Sequence, residues 1–159
     1  MIRPAQFADV PGIFALFQEM YRASSYVGQD TIDEKYAKAL IVSSIQKHGA
    51  PSDGGTLVLV SECDGVIKGF VIGVLDRVYH IGTKLMATDL FTFNSPDGNP
   101  RDGLRLIDGL IAWAEANPAV IEIKLGAVDA VGDFERTAKV FRRRGLVQSG
   151  VVYQRSIER

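Results

Sequence analysis

Hydrophobic and polar positions divide the chain into stretches with two different periods. Val10, Ile13, Phe14, Phe17, Met20 and Tyr21 recur at spacings of three and four, the apolar stripe of a helix over about residues 10–22. Asp9 is placed to cap that helix, and Pro11 fits its first turn. A polar stretch containing Tyr26 and Gly28 follows and reads as a loop. Thr31 and Glu34 have the spacing of a capping box, and behind them Tyr36, Leu40, Ile41 and Ile45 keep a second helical face until about His48. The run GAPSDGG then breaks the chain.

Beyond the break the pattern changes to β-branched runs. Residues 56–62 and 66–75 are joined across Cys63, Asp64 and Gly65, and Asp64-Gly65 predicts a hairpin because a type I′ turn needs two residues that tolerate positive φ. Gly69 and Gly73 inside the second run permit a bend or close packing. A third strand is expected over residues 85–93, then a turn rich in Gly, Pro and Asn, then a helix over about residues 103–115 striped by Leu106, Ile107, Leu110, Ile111 and Ala114. Asn117-Pro118 stops that helix, and residues 119–125 alternate as a strand. Asp133 is placed to cap a fourth helix through Phe134, Ala138, Phe141 and three arginines, ended by Gly145. Residues 146–157 are expected to add one or two terminal strands. Strands and helices interleaved in this order predict an α/β class with a mixed central sheet, helices on both of its faces, and one domain over residues 1–159.

Composition narrows the function classes. A chain of 159 residues with 47% hydrophobic and 23% charged positions is an ordinary globular composition, and a net charge of -1 leaves no electrostatic footprint for nucleic acid. One cysteine, Cys63, permits no internal disulfide and no cysteine metal cluster, and two separated histidines, His48 and His80, suggest no metal centre. No basic and apolar leader opens the sequence and no window reaches 18 apolar residues, so a cytoplasmic protein without a membrane partner is expected. The Rossmann glycine fingerprint and the P-loop pattern are both missing.

The stretch from Lys84 to Ala116, strand then turn then helix, carries the candidate chemistry. It brings backbone N–H groups and the positive end of a helix to the carboxyl end of a strand, a recipe for holding an anionic group such as a phosphate. The same stretch carries a resemblance. Gly103, Leu106, Leu110, Trp113 and Ala114 fall into the frame Gly-x-x-Leu-x-x-x-Leu-x-x-Trp-Ala, and Ala138, Phe141, Gly145 and Leu146 resemble Ala-x-x-Tyr-x-x-x-Gly-Phe with Phe for Tyr and Leu for Phe. With the order of elements, these residues make the chain resemble the GCN5-related N-acetyltransferase (GNAT) superfamily over essentially its whole length.

That resemblance implies the acyl-CoA N-acyltransferase fold, with a bulged fourth strand and a pyrophosphate loop Gln/Arg-x-x-Gly-x-Gly/Ala. It implies acetyl-CoA as co-substrate and a small-molecule or protein amine as acceptor. In this register Gly103 is the second loop glycine, while Arg101 replaces the first and Gly98 the leading Gln or Arg. The implied binding set is Gly98, Arg101, Asp102, Gly103 and Leu104 for the pyrophosphate, backbone N–H groups over Phe91, Thr92 and Phe93 for the developing oxyanion, and Phe141 as a wall beside the thioester arm. Arg101 either points away from the phosphates or contributes its own cation to them.

For proton transfer the candidates are Asp89, in the strand before the loop, His80, and Tyr153 as a replacement for the missing helix-four hydroxyl. A regular strand would put Asp89, Phe91 and Phe93 on one face; a bulge would change that phase. Glu19, Tyr21 and Tyr26 lie in or after the first helix, where relatives frame the acceptor. The run Arg142, Arg143 and Arg144 reads as favourable charge at a helix carboxyl end, and His48 as a histidine at another. The competing expectation, supported by Arg101 and Phe141, is a catalytically silent protein of this fold with a ligand-binding or interaction role. Members of the family often pair, so a homodimer belongs to the expectation.

Overall fold

In chain order the elements are β1 (Ile2–Pro4), α1 (Val10–Arg22), α2 (Glu34–Gln46), β2 (Thr56–Cys63), β3 (Val66–Arg77), β4 (Leu85–Asn94), α3 (Pro100–Glu115), β5 (Val120–Lys124) and α4 (Phe134–Arg142), with short 3-10 turns at Phe7–Asp9 and Val78–His80. This computed structural model describes residues 1–159. The strands form one sheet in the order β1-β2-β3-β4-β5, antiparallel throughout except for the parallel β4–β5 pair.

The hairpin at Asp64-Gly65 sets the register of the sheet. Both residues have positive φ, 51° and 78°, as a type I′ turn demands. Alternation along β2 and β3 then sorts side chains to two faces. Val58, Val60, Phe70 and Ile72 pack against Ile13, Phe14 and Phe17 of α1 and Ile41 of α2. Leu57 and Val71 pack against Leu106 and Leu110 of α3 on the other face. Because both faces are covered, these strands read as nearly continuous apolar runs. Gly73 serves close packing: a Cβ there would lie 2.9 Å from Leu110 Cδ1 and 3.2 Å from Trp113 Cζ3.

Four local expectations are corrected. Asp9 does not cap α1; its carboxylate takes two hydrogen bonds from the Arg3 guanidinium and one from the Gln6 N–H, and Arg3 reaches on to Glu62. The Arg3 contact holds the Asp9 carboxyl below the usual carboxylate range. The cap of α2 is Asp33, whose side chain accepts the Tyr36 N–H, in place of the Thr31–Glu34 box. His48 is a half-buried acceptor, its Nδ1 taking the Val58 N–H at 3.0 Å, and desolvation lowers its pKa; an imidazole protonated at Nδ1 could not accept that bond. Finally, residues 146–159 form no strand: Val147, Val151, Val152, Tyr153 and Ile157 are all exposed, so β5 remains an edge of the sheet.

Candidate active site

Strand β4 is paired on both edges at its start and on one edge at its end. Its ladder to β5 runs from Leu85↔Val120 to Thr88↔Lys124 and stops, while its ladder to β3 continues to Gly69↔Asn94. Beyond Thr88 the two parallel strands part. In the β3 ladder Asp89 pairs with Gly73 and Phe91 with Ile72, which leaves Leu90 without a partner: a β-bulge.

The bulge separates residues that a regular strand would hold together. Ala87 packs with Leu75 and Ala114 on the α3 face, and Asp89 lies opposite Gly73, whose missing Cβ would point at Leu110 and Trp113. Directly opposed residues of an antiparallel pair share a face. Phe91 and Phe93 instead pack into the core under α1 and α2, Phe91 with its ring centroid 4.8 Å from that of Phe17. The expected alignment of Asp89 with the two phenylalanines is therefore corrected; the extra residue flips the phase between them.

Where the strands part lies a cavity of about 630 Å³. It passes from the α1/α2 side, past β4, to the α3/α4 side, where Gly103, Ile107, Thr137 and Phe141 line it. The loop after α1 and the loop after β5 meet across its mouth: Ser24 bridges Val131, and the Ser25 N–H donates to the Ala130 carbonyl at 3.0 Å.

Asp89 stands at the bulge and lines this cavity. Desolvation raises its pKa, opposed by hydrogen bonds from the Gly126 N–H at 3.1 Å and the Thr92 hydroxyl at 3.5 Å. A half-buried carboxylate with a raised pKa is a better proton acceptor near neutral pH than an exposed one. Phe91, Thr92, Phe93, Gly103, Phe141, Tyr21 and Tyr26 also line the cavity. The Tyr21 hydroxyl is engaged by the Tyr26 and Asp30 carbonyls, which fastens the loop after α1. Glu19 is not in the lining; its carboxylate accepts the Ser95 hydroxyl at 2.7 Å.

The turn ahead of α3 differs from the expected amide cradle. The helix begins at Pro100, and Asn99 caps it by accepting the Arg101 N–H at 3.0 Å. The Asp102 N–H goes to the Asn99 carbonyl, the Gly98 N–H to the Ser95 carbonyl and the Asp97 N–H to the Ser95 hydroxyl. Most donors that an anion would use already have partners within the turn. The Asp102 side chain is buried away from the turn, accepting the Ser61 hydroxyl at 2.6 Å and Arg105 at 3.2 Å. Arg101 is exposed and makes no side-chain hydrogen bond, and Leu104 is exposed beside it. Of the five loop residues expected at the pyrophosphate, only Gly103 reaches the cavity lining. The turn therefore offers an anion few free amides, and the open edge of β4 is the larger unpaired surface beside the cavity.

Two expected proton-transfer residues are not brought to this site. His80 lies in the turn after β3, beside the start of β4 and so at the opposite end of that strand, where its Nδ1 is 2.8 Å from Asp76. Tyr153 is 90% exposed in the terminal segment that forms no strand. Sequence reasoning passed over Leu90 and the loop of residues 126–131. No residue-type signal marks a bulge at Leu90; the small residues of the loop, GAVDAV, were the only hint of a close-packed cover.

No protein-family model matches the chain, and no curated protein matches it by sequence. Solved structures do match in shape. A ribosomal-protein-alanine N-acetyltransferase from Brucella melitensis biovar Abortus is 18% identical with a TM-score of 0.68, covering 99% of both chains. An acetyltransferase from Trypanosoma brucei is 12% identical with a TM-score of 0.70, again over 99% of both. An aminoglycoside N-acetyltransferase solved in complex with CoA is 16% identical with a TM-score of 0.70, covering 98% of this chain and 93% of that one. The chain has the fold of the GNAT acetyltransferases.

Proposed function

We propose that this chain is an N-acetyltransferase, moving an acetyl group from acetyl-CoA to a primary amine of a small molecule or a protein. One observation carries the reading: the sheet opens at the point where β4 is bulged and Asp89 is desolvated, so a carboxylate and an unpaired strand edge face one cavity reached from both sides of the sheet. The GNAT-fold neighbours, among them a ribosomal-protein-alanine and an aminoglycoside N-acetyltransferase, one of them bound to CoA, support it.

Acetyl-CoA supplies a thioester, an acyl carbon with a good leaving group. Phe141 and Ile107 would wall its arm, and the Thr92 N–H, which the β3 register turns to the open β4 edge, would donate to the carbonyl oxygen as charge builds on it. Asp89, directly or through water, would take the proton that the attacking nitrogen sheds as its bond to the acyl carbon forms and the carbon–sulfur bond breaks. The departing sulfur would draw its proton from water, since Phe141 has no hydroxyl to give. Arg101 would meet the diphosphate as a cation.

The satisfied amides of the 94–102 turn favour the second reading, a silent protein of this fold. Thiol release from acetyl-CoA over an amine panel, with mass spectrometry of both the amines and any co-purified coenzyme, separates the two. Acetylated amine together with free thiol is the expected outcome; coenzyme bound at micromolar affinity with no product from any amine would favour the silent protein.

A further inference from the structure

We infer that the acceptor is a monoamine with a flat apolar body, of the arylalkylamine kind, and not a polycation; this rests on the acyl-transfer reading and names the substrate class of that same cavity. On the α1/α2 side the wall is made by Met20, Tyr26, Ile32, Tyr36, Leu40 and Phe91. No Lys, Arg, His or Glu lines any part of the cavity, and its only carboxylates are Asp33 and Asp89. Each of these already accepts a backbone N–H, Asp33 from Tyr36 at 2.9 Å and Asp89 from Gly126 at 3.1 Å.

The charge pattern sets how many ammonium groups can enter. One ammonium can sit beside Asp89, where a proton must leave before attack. A second or third would lose water against apolar walls with no partner to repay the loss. Glu19, the α1 carboxylate best placed by sequence to attract a further cation, is turned to Ser95. An acidic acceptor is disfavoured for the converse reason, since no cation lines the site. The rings of Tyr26 and Tyr36, both in the lining, are of the kind an aromatic body or a lone ammonium uses, through stacking and cation–π contact.

The test compares 2-phenylethylamine with spermidine on the full chain, by thiol release with acetyl-CoA and by calorimetry of each amine alone. We expect kcat/KM for 2-phenylethylamine to exceed that for spermidine at least tenfold. Tyr36→Glu, an exposed change in the first turn of α2, is expected to cut that preference about tenfold without altering acetyl-CoA affinity; Ile32→Asp provides a second variant should the first melt early. Equal or better turnover of spermidine overturns the inference and leaves acyl transfer standing. Binding of 2-phenylethylamine but not spermidine, with no turnover of either, keeps the monoamine as the ligand class of the cavity and counts against acyl transfer to it. Turnover of other amines with no binding or turnover of 2-phenylethylamine, an unchanged preference in both variants, or no amine bound or acetylated at all, likewise overturns it.

Discussion

The two halves of β4 share one backbone and behave as different materials. From Leu85 to Thr88 the strand has a neighbour on each edge, and Leu85 and Ala87 pack with Leu75 and Ala114 at the closed end of the sheet. From Asp89 to Asn94 it has a neighbour on one edge, carries the bulge, and faces the cavity. The first half has a partner strand on each edge; the second keeps a carboxylate partly desolvated and a strand edge open. A sheet that closed completely would have no place for a reaction, and one open throughout would have no reason to hold its register.

The largest effect expected from breaking this contrast comes from deleting Leu90. The deletion would let Asp89 and Phe91 pair regularly with Gly73 and Ile72 while both keep their present faces, so the fold should survive and the bulge should not. We expect thiol release to fall roughly 10²–10³-fold, the scale of losing preorganised oxyanion donors. The melting temperature should stay within a few degrees, about 1 kcal/mol or less at this chain length. A melting temperature preserved together with full activity would show that the bulge is irrelevant to chemistry.

Asp89→Asn removes the proton acceptor and nothing else of its size. Acetyl transfer should drop about 10²-fold, within the span of general-base catalysis. In the wild type the rate should climb with pH through an inflection above the ordinary aspartate range, because desolvation raises the Asp89 pKa, and the Asn variant should lose that limb. Stability has the opposite sense. A carboxyl whose folded pKa is raised costs stability above that pKa, a cost that fades as pH falls toward 3.8, so Asp89→Asn should melt at or above the wild type at pH 7.

Ala87→Leu tests the closed half. Ala87 and Ala114 are both fully buried, and overpacking there should cost about 1–3 kcal/mol, seen as an earlier thermal midpoint. Turnover per folded molecule should change little, since neither residue lines the cavity. The smallest effect belongs to Arg101→Ala. Its guanidinium is exposed, so losing a phosphate contact should raise the acetyl-CoA Kd about two- to fivefold, in line with a solvent-screened ion pair. Unchanged affinity would remove Arg101 from the site and leave backbone binding.

The legibility of the chain followed the range of the forces involved. Helix stripes, the Asp64-Gly65 turn and the Asp133 cap are settled by residues within a few positions of one another, and all three stand in the structure. Residues 146–157 were expected to add terminal strands and form none, because a strand needs a partner edge as well as β-branched residues. Tyr153 left the site with them. His80 lies apart because β3 and β4 run antiparallel, which puts the turn joining them away from the carboxyl end of β4. The loop residues differ from the expected cradle for another reason: Asn99 and Ser95 accept locally the Arg101 and Asp97 N–H groups that an anion was expected to claim.

By itself the sequence determined the order of elements from β1 to α4, the mixed sheet with helices on both faces, and Asp89, Phe91 and Phe93 as members of the strand that borders the cavity. Local propensity and hydrophobic period carry that information, and both are properties of short windows. Only the tertiary structure decided that Leu90 bulges, that β5 leaves β4 after Thr88, and that Asp89 is therefore desolvated beside an open cavity. Those depend on pairings between residues distant in the chain, where the helices of both faces, packed on one sheet, set which strand edge closes and which stays open.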